Sequence, residues 1–331
     1  MHFFDRIMKH LIIGGGSIGK RHLRNLHSLG ETELFCFRRS YDPQFEIDFH
    51  CKVIISYDEI KHIKPDILYV CNPTSMHHEG IQWAQDLEAH LFMEKPLTHD
   101  ELIFQKACQN WDKKHVFFIG FVLRYHPFVK IIKEKLNDKL IGEIFSARFE
   151  FGSFLPNWHP EENYKEGYAA IKSLGGGVIN TITHELDLML HFFGSPQSVY
   201  AAKANLGQLH IDVEELSESI FSYSWGFATL HLDFLQKDYD RQLKILGSNG
   251  KITWSFRENA IIIEKPNGPR ETINLSVDDF NQLYLDELKD FFELIRLNKT
   301  QHPLDFEYAI INTQWMLAMH KSAETRKIWE I

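Results

Sequence analysis

The stretch "HLIIGGGSIG", residues 10–19, limits what this chain can become more than any other. A short apolar run reads as a buried strand. Gly14-x-Gly16-x-x-Gly19 then breaks it, and "SIGKRHLRNLHSLG" continues with helical spacing until Gly30 closes the helix. A glycine pattern between strand and helix is the context that turns this weak signal into a phosphate-binding loop. Gly14 permits the tight turn, Gly16 lets a pyrophosphate approach the backbone, and Gly19 lets helix and strand pack closely. Ser17 and Ile18 open the helix, whose first N–H groups and partial positive charge suit an anion. A glycine-rich turn with no ligand is the plain alternative.

The next hundred residues repeat the alternation. "ELFCFRR", "KVIIS", "DILYVCNP", "LFME" and "HVFFIGF" are short continuous apolar runs with helical segments between most of them. Such runs form a parallel sheet covered on both faces, and right-handed crossovers make it a doubly wound Rossmann sheet. From about residue 123 the period changes to two. In "IFSARFEFG", Phe145, Ala147, Phe149 and Phe151 alternate with Ser146, Arg148 and Glu150, which predicts a strand with one buried face. Similar runs follow in "SESIFSYSW", "ATLHLDFL", "RQLKILGSNGKITWSF" and "AIIIEKPNG", and the last fifty residues place Tyr284, Leu288, Phe291 and Ile295 at helical spacing. The expected architecture is α/β: a Rossmann domain over 1–122, then an α+β domain over 123–331 built on a mostly antiparallel open sheet.

Composition removes other classes. The 331 residues carry 36 Lys and Arg against 45 Asp and Glu, a net charge of −9, with no basic block. A nucleic acid or an acidic membrane needs a basic face, so neither is an expected partner. No run approaches the ~20 apolar residues of a membrane span. The start, "MHFFDRIMKHLIIGGG", leads straight into the glycine loop, does not read as a signal peptide, and allows Met8 as an alternative start. Cys36, Cys51, Cys71 and Cys108 form no CxxC pair, which fits free thiols in a reducing cytoplasm.

A dinucleotide-binding domain for NAD usually carries Asp or Glu about 20 residues past the loop, gripping the ribose 2′-hydroxyl. Here the second strand ends in Arg38-Arg39-Ser40, and no acid follows until Asp42. Guanidinium groups and a hydroxyl suit a 2′-phosphate, so NADP is favoured over NAD, unless the arginines are merely a solvated pair. At the end of the fourth strand, "CNPTSMHHE" places Asn72 and Pro73 at the carboxyl edge of the sheet, with Thr74 and His77 close behind. Asn72 either bonds the nicotinamide ribose or belongs to an ordinary Asn-Pro turn.

The fifth strand ends in Glu94-Lys95-Pro96, and Thr98 with Glu101 makes a capping box for the helix through "DELIFQKACQNWDKK". An ammonium at the tip of a buried strand, stiffened by proline, either reaches solvent as a strand-end charge or, if burial lowers its pKa, can polarise a substrate oxygen and relay its proton. The same tripeptide at Glu264-Lys265-Pro266 leads into an Asn-Gly-Pro turn and reads as a hairpin end.

In this order the motifs resemble those of the Gfo/Idh/MocA family (glucose–fructose oxidoreductase, inositol dehydrogenase, rhizopine catabolism). The resemblance covers nearly the whole chain through the glycine loop, "CNPTSMHHE", "MEKPL", "GFVLRYHP" and "GGGVINTITHELD". It implies NAD(P)-dependent redox chemistry on sugars or cyclitols, with a second domain whose open sheet often pairs subunits. It places Lys95 beside the nicotinamide and the reacting carbon, with Glu94 alongside, and makes His184 its proton-shuttling partner. Arg124 matches an arginine near the substrate channel, or else is structural, and Asp187 is expected to hold a helix. Gly175 to Gly177 would let the chain pass close to the cofactor. Position 188 is Leu, so the zinc-binding His-Glu-x-x-His pattern is absent and no metal is expected.

One departure matters. Many family members carry an aspartate three or four positions before this histidine, where Thr181 and Asn180 stand here. Between strand and glycine run, "FLPNWHPEENYKEGYAA" offers Trp158, His159, Tyr164, Lys165 and Tyr168, aromatic faces and donors that suit a sugar ring, or else an ordered loop without a ligand. The expected function is a cytoplasmic oxidoreductase moving hydride to or from a sugar, sugar nucleotide or related polyol, in surface-polysaccharide biosynthesis by family resemblance. The expected substrate contacts are Lys95, Arg124, Trp158, Tyr164, Lys165, Thr181 and His184. The alternatives are a nucleotide-binding regulatory protein that has lost catalysis, and a redox-assisted glycosidase that keeps its cofactor.

Overall fold

A computed structural model describes residues 6–107, 111–112, 114–275 and 279–331, so Cys108 lies outside the described residues. The chain divides into two units, residues 1–121 with 281–310, and residues 122–280 with 311–331. In the first, β1 (Lys9–Ile13), β2 (Glu33–Phe37), β3 (Lys52–Ile54), β4 (Ile67–Val70), β5 (His90–Glu94) and β6 (Phe117–Gly120) alternate with α1 (Ser17–Ser28), α2 (Pro43–Phe49), α3 (Tyr57–Ile63), α4 (His77–Asp86) and α5 (Glu101–Ala107). The strands pair in parallel in the order β3-β2-β1-β4-β5-β6, the doubly wound arrangement the apolar runs predict. Leu11, Ile12, Leu68, Tyr69, Phe92 and Phe118 are fully buried along it. Burial pushes the thiols of Cys36 and Cys51 up to about 12, which keeps them protonated.

The start of α5 differs from expectation. Asp100, not Thr98, caps it: Asp100 Oδ1 accepts from Ile103 N at 2.9 Å, while Thr98 Oγ1 accepts from Asp100 N at 3.2 Å. The helix begins at Glu101, so only the residue just before it can reach the third free N–H.

The second unit contains α6 (Pro127–Asn137), β7 (Ile144–Gly152), α7 (Val178–Thr181), α8 (His184–Phe193), β8 (Ser198–Ala204), β9 (Leu216–Tyr223), β10 (Gly226–Asp233), β11 (Asp240–Gly247), β12 (Gly250–Ser255), β13 (Ala260–Glu264) and β14 (Glu271–Asn274). The chain then makes α9 (Asn281–Arg296), α10 (Phe306–Thr325) and β15 (Trp329–Glu330). Among the described residues nine strands form one sheet, β14-β13-β12-β11-β7-β10-β9-β8-β15, antiparallel except where β10 meets β7. Ala147, Phe149 and Phe151 face inward and are buried as the period of two predicts, but Phe145 at the strand's start stays 53% exposed. Glu264-Lys265-Pro266 sits at the turn between β13 and β14, as its sequence suggests.

One face of this sheet carries helices; Trp315 of α10 packs edge-on to Phe221, for example. The other face is open. Tyr200 and Ile220 lie directly across from each other on it, and Phe227 and Leu246 flank Ser146 one row away, all four exposed.

Residues 281–310, expected in the second domain, are part of the first unit. Phe291 of α9 packs on Tyr69, Phe92 and Phe118, and Phe292 on His10, at ring-centroid distances of 5.5–6.2 Å. Both rings are fully buried. At roughly 1.5–3 kcal/mol for burying each aromatic side chain, this aromatic face outweighs chain proximity in deciding where the helix goes.

Candidate active site

The expected site residues fall in both units. In the first, the strand ends align. Ile13 pairs with Val70 and Val70 with Met93, so the glycine loop, Asn72 and Glu94-Lys95 follow neighbouring strands at the carboxyl edge of the sheet. Ligands of open α/β sheets bind at this edge.

Each glycine of the loop has a different constraint. Gly14 has φ +107°, and a Cβ there would come within 2.9 Å of Cys71 and Asn72 backbone atoms. A Cβ on Gly19 would stand 2.0 Å from Gly14 O, so helix and turn could not meet. At Gly16, by contrast, a Cβ would find nothing within 4 Å. Its φ of −73° suits any residue, so the fold itself does not require glycine there. Space left open at a helix N-terminus with no side-chain cap and no acid in its first turn fits a bound pyrophosphate. Ser17 and Ile18 are the first two residues of that helix.

Arg38 lies against the loop: a Cβ on Gly15 would be 3.1 Å from its Nε. Its guanidinium stacks on Phe45 at 4.0 Å and donates to Asp42 Oδ2 at 2.8 Å, which holds the Asp42 carboxyl below the usual range. Asp42 also caps α2 through Phe45 N. Arg39 and Ser40 are exposed beyond the strand. Asn72 donates weakly to Met76 O at 3.4 Å, and its buried Oδ1 has no hydrogen-bond partner among the described residues. Such an acceptor suits a ribose hydroxyl or a carboxamide N–H. Pro73 precedes the short turn Thr74–Met76, in which Thr74 is buried.

His77, expected at the cofactor, has both ring nitrogens on backbone carbonyls, Pro96 O at 2.7 Å and Asn72 O at 3.0 Å. Glu94 is held by His22 of α1, with 2.9 Å between Nε2 and Oε1. Lys95 is half-buried at the end of β5. The histidine at position 22 escapes sequence reading, since one histidine on a helix's inner face looks like any packed residue.

In the second unit, Arg124 grips Asp187 of α8 through Nε (3.0 and 3.2 Å) and Nη2 (2.7 Å), with side chains 8% and 0% exposed. The expectation that Asp187 holds a helix matches this geometry, and Arg124 is its partner in doing so. His184 is the half-buried first residue of α8, and Thr181 the buried last residue of α7. Asn180, at the position of the missing carboxylate, donates to Gly176 O at 3.0 Å and lies 2.8 Å from His320 Nε2. Gly175 ends a short turn at φ +83°, and Gly176 and Gly177 are packed closely inside the unit. A Cβ on Gly176 would reach Tyr168 O at 2.4 Å, and one on Gly177 would collide with the Glu214 carboxylate. Glu214 accepts from Ile179 N at 3.3 Å, and burial raises its carboxyl pKa. Trp158 donates to Ser153 Oγ at 2.8 Å and packs edge-on to Phe234, and Tyr164 donates to Leu209 O at 3.0 Å. Lys165 is exposed, its ammonium 5.8 Å from the Tyr164 ring.

Two family models match this chain: the NAD-binding Rossmann fold of an oxidoreductase family over residues 8–121, and the GFO/IDH/MocA C-terminal domain over residues 129–253. The chain belongs to the GFO/IDH/MocA oxidoreductase family. It is 23% identical over 306 residues to a myo-inositol 2-dehydrogenase of Thermotoga maritima, covering 86% of this chain and 87% of that one. It is 26% identical over 242 residues to the dTDP-3,4-didehydro-2,6-dideoxy-α-D-glucose 3-reductase of Saccharopolyspora spinosa, covering 70% of each. Among solved structures, a levoglucosan dehydrogenase in complex with NADH and levoglucosan shares its fold, with a TM-score of 0.85 over 98% of this chain and 99% of that one at 17% identity. As a GFO/IDH/MocA protein it is an NAD(P)-dependent oxidoreductase. Among the described residues, no helix is long and apolar enough to cross a membrane.

Proposed function

We propose that this protein is an NADP-dependent dehydrogenase or reductase acting on one carbinol or keto carbon of a sugar, sugar nucleotide or related polyol. The observation that carries the reading is the alignment of the glycine loop, Asn72 and Lys95 at one sheet edge. The first-turn amides of α1 would hold the pyrophosphate, and Asn72 Oδ1 would accept from the nicotinamide ribose or carboxamide. When bound, the nicotinamide supplies or accepts the hydride. Lys95 polarises the substrate oxygen and gives or takes its proton, and His184 is its partner in that transfer. Trp158, Tyr164, Lys165 and Thr181 contribute to the sugar site, while Arg124 keeps α8 in place. Similarity to a dTDP-sugar reductase supports a sugar nucleotide; similarity to an inositol dehydrogenase supports a cyclitol. Turnover over a panel of both kinds separates them. Binding without turnover over that panel would favour the regulatory alternative, whose support is the missing carboxylate at Asn180 and Thr181.

The cofactor preference rests on Arg38, which lies on the glycine loop with no acid at the end of β2. Tryptophan fluorescence of nucleotide-stripped protein, titrated with NADPH and NADH side by side, reads it directly. NADPH should bind more tightly, and Arg38→Ala should remove about 10–100-fold of that advantage, the worth of a charge-assisted hydrogen bond. Tighter NADH binding would mean that Arg38 serves Asp42 alone and that the cofactor is NAD.

We assign self-association to the open face of the nine-stranded sheet, where Tyr200, Ile220, Phe227 and Leu246 leave apolar surface exposed. Phe227→Glu should shift the sedimenting species to the monomer, and an unchanged mass would place any interface elsewhere.

A further inference from the structure

The tip of β5 is gripped on both sides of Lys95 by histidines from two different helices. On one side His22, fully buried on α1, meets the Glu94 carboxylate at 2.9 Å. On the other His77, 2% exposed at the start of α4, meets the Pro96 carbonyl at 2.7 Å and the Asn72 carbonyl at 3.0 Å. Burial pushes the His77 ring down to about 4, against the pull of the two carbonyls and Glu94 and with the push of Lys95. Near neutral pH the ring is therefore neutral and has one N–H, which the shorter contact assigns to Nδ1 and Pro96. His22 sits among Tyr69, Phe92 and Tyr284, at ring-centroid distances of 5.0–6.4 Å, so its ring is fixed by packing as well.

We propose that His22 and His77 are positioning residues for Lys95, clamping the residue before it by its side chain and the residue after it by its carbonyl. The clamp ties the lysine to the helix that opens the glycine loop and to the turn that carries Asn72. Lys95 ends in a long flexible stem, and a proton donor displaced by about 1 Å loses on the order of 10²-fold in rate. Holding both neighbours anchors the base of that stem. The inference rests on the reading of Lys95 as the proton-handling group.

Its test does not need the substrate. Trace acetylation of the cofactor-free protein with acetic anhydride, across pH and read peptide by peptide, gives the reactivity profile of the Lys95 amine, with exposed Lys265 as internal standard. In His77→Leu the Lys95 profile should move toward that of Lys265, by about tenfold in reactivity at fixed pH. His77→Asn, whose amide nitrogen can stand where Nδ1 stands, should restore it. His22→Phe keeps the aromatic packing and removes the Glu94 contact, so it gives the same readout if His77→Leu fails to fold. Unmoved Lys95 profiles in folded His77→Leu and His22→Phe overturn the clamp. Lys95→Met distinguishes the two levels: turnover that survives it sinks the reading of Lys95, whereas lost turnover with unmoved profiles sinks only the histidines.

Discussion

Lys95→Met should lower kcat by about 10²–10⁴-fold, the usual contribution of one acid–base group, while leaving the affinity for the nicotinamide nucleotide unchanged. Methionine matches the length and apolar stem of lysine, so β5 should keep its packing between β4 and β6. Only the ammonium is lost. Lys95→Arg should not rescue turnover, because a guanidinium stays charged at every working pH and cannot exchange its proton. The measurement is kcat on whichever member of the cyclitol and sugar-nucleotide panel turns over, beside a fluorescence titration of the same variant. If binding and kcat fall together, the lysine serves the nucleotide rather than the proton. If neither falls, the proton is handled elsewhere.

The second large effect is on stability. Arg124→Met should destabilise the protein by about 3–5 kcal/mol, because it leaves the fully buried Asp187 carboxylate without its counter-ion. That corresponds to a fall in Tm on the order of 10 °C. The double variant Arg124→Met, Asp187→Leu should recover most of the loss, since a buried ion pair exchanged for apolar side chains costs little. Thermal unfolding of the three proteins closes the cycle. If the single variant loses turnover at an unchanged Tm, Arg124 touches the substrate instead of holding α8.

The six-stranded sheet could be read from the sequence because its strands are buried on both faces and so consist of unbroken apolar runs such as "ILYV". The glycine loop was legible because phosphate binding and close packing both restrict side-chain size at fixed spacing. What escaped depends on partners far apart in the chain. The amphipathic pattern of α9 says that it has an apolar face, not that the face belongs to Tyr69, Phe92 and Phe118. Likewise the pairs His22–Glu94, Arg124–Asp187 and His320–Asn180 leave no local trace, since each joins residues that only folding brings together. The short β15 and the polar β14 at the sheet's edges gave too weak a period to notice. At the start of α5, Thr98 and Glu101 fit a local motif, but Asp100 stood two residues nearer the helix and took the cap.

The return of α9 to the first sheet has a consequence for how the protein is made. The aromatic face of Tyr69, Phe92 and Phe118 leaves the ribosome early, and its cover, Phe291, comes only after all of residues 122–280. At ~5–20 residues per second the gap is roughly 8–30 s, long beside the time a small domain needs to collapse. During that interval the nascent first unit exposes a sticky surface that a chaperone, rather than its own helix, must shield. A gene fragment ending near residue 121 should inherit the same bare face permanently.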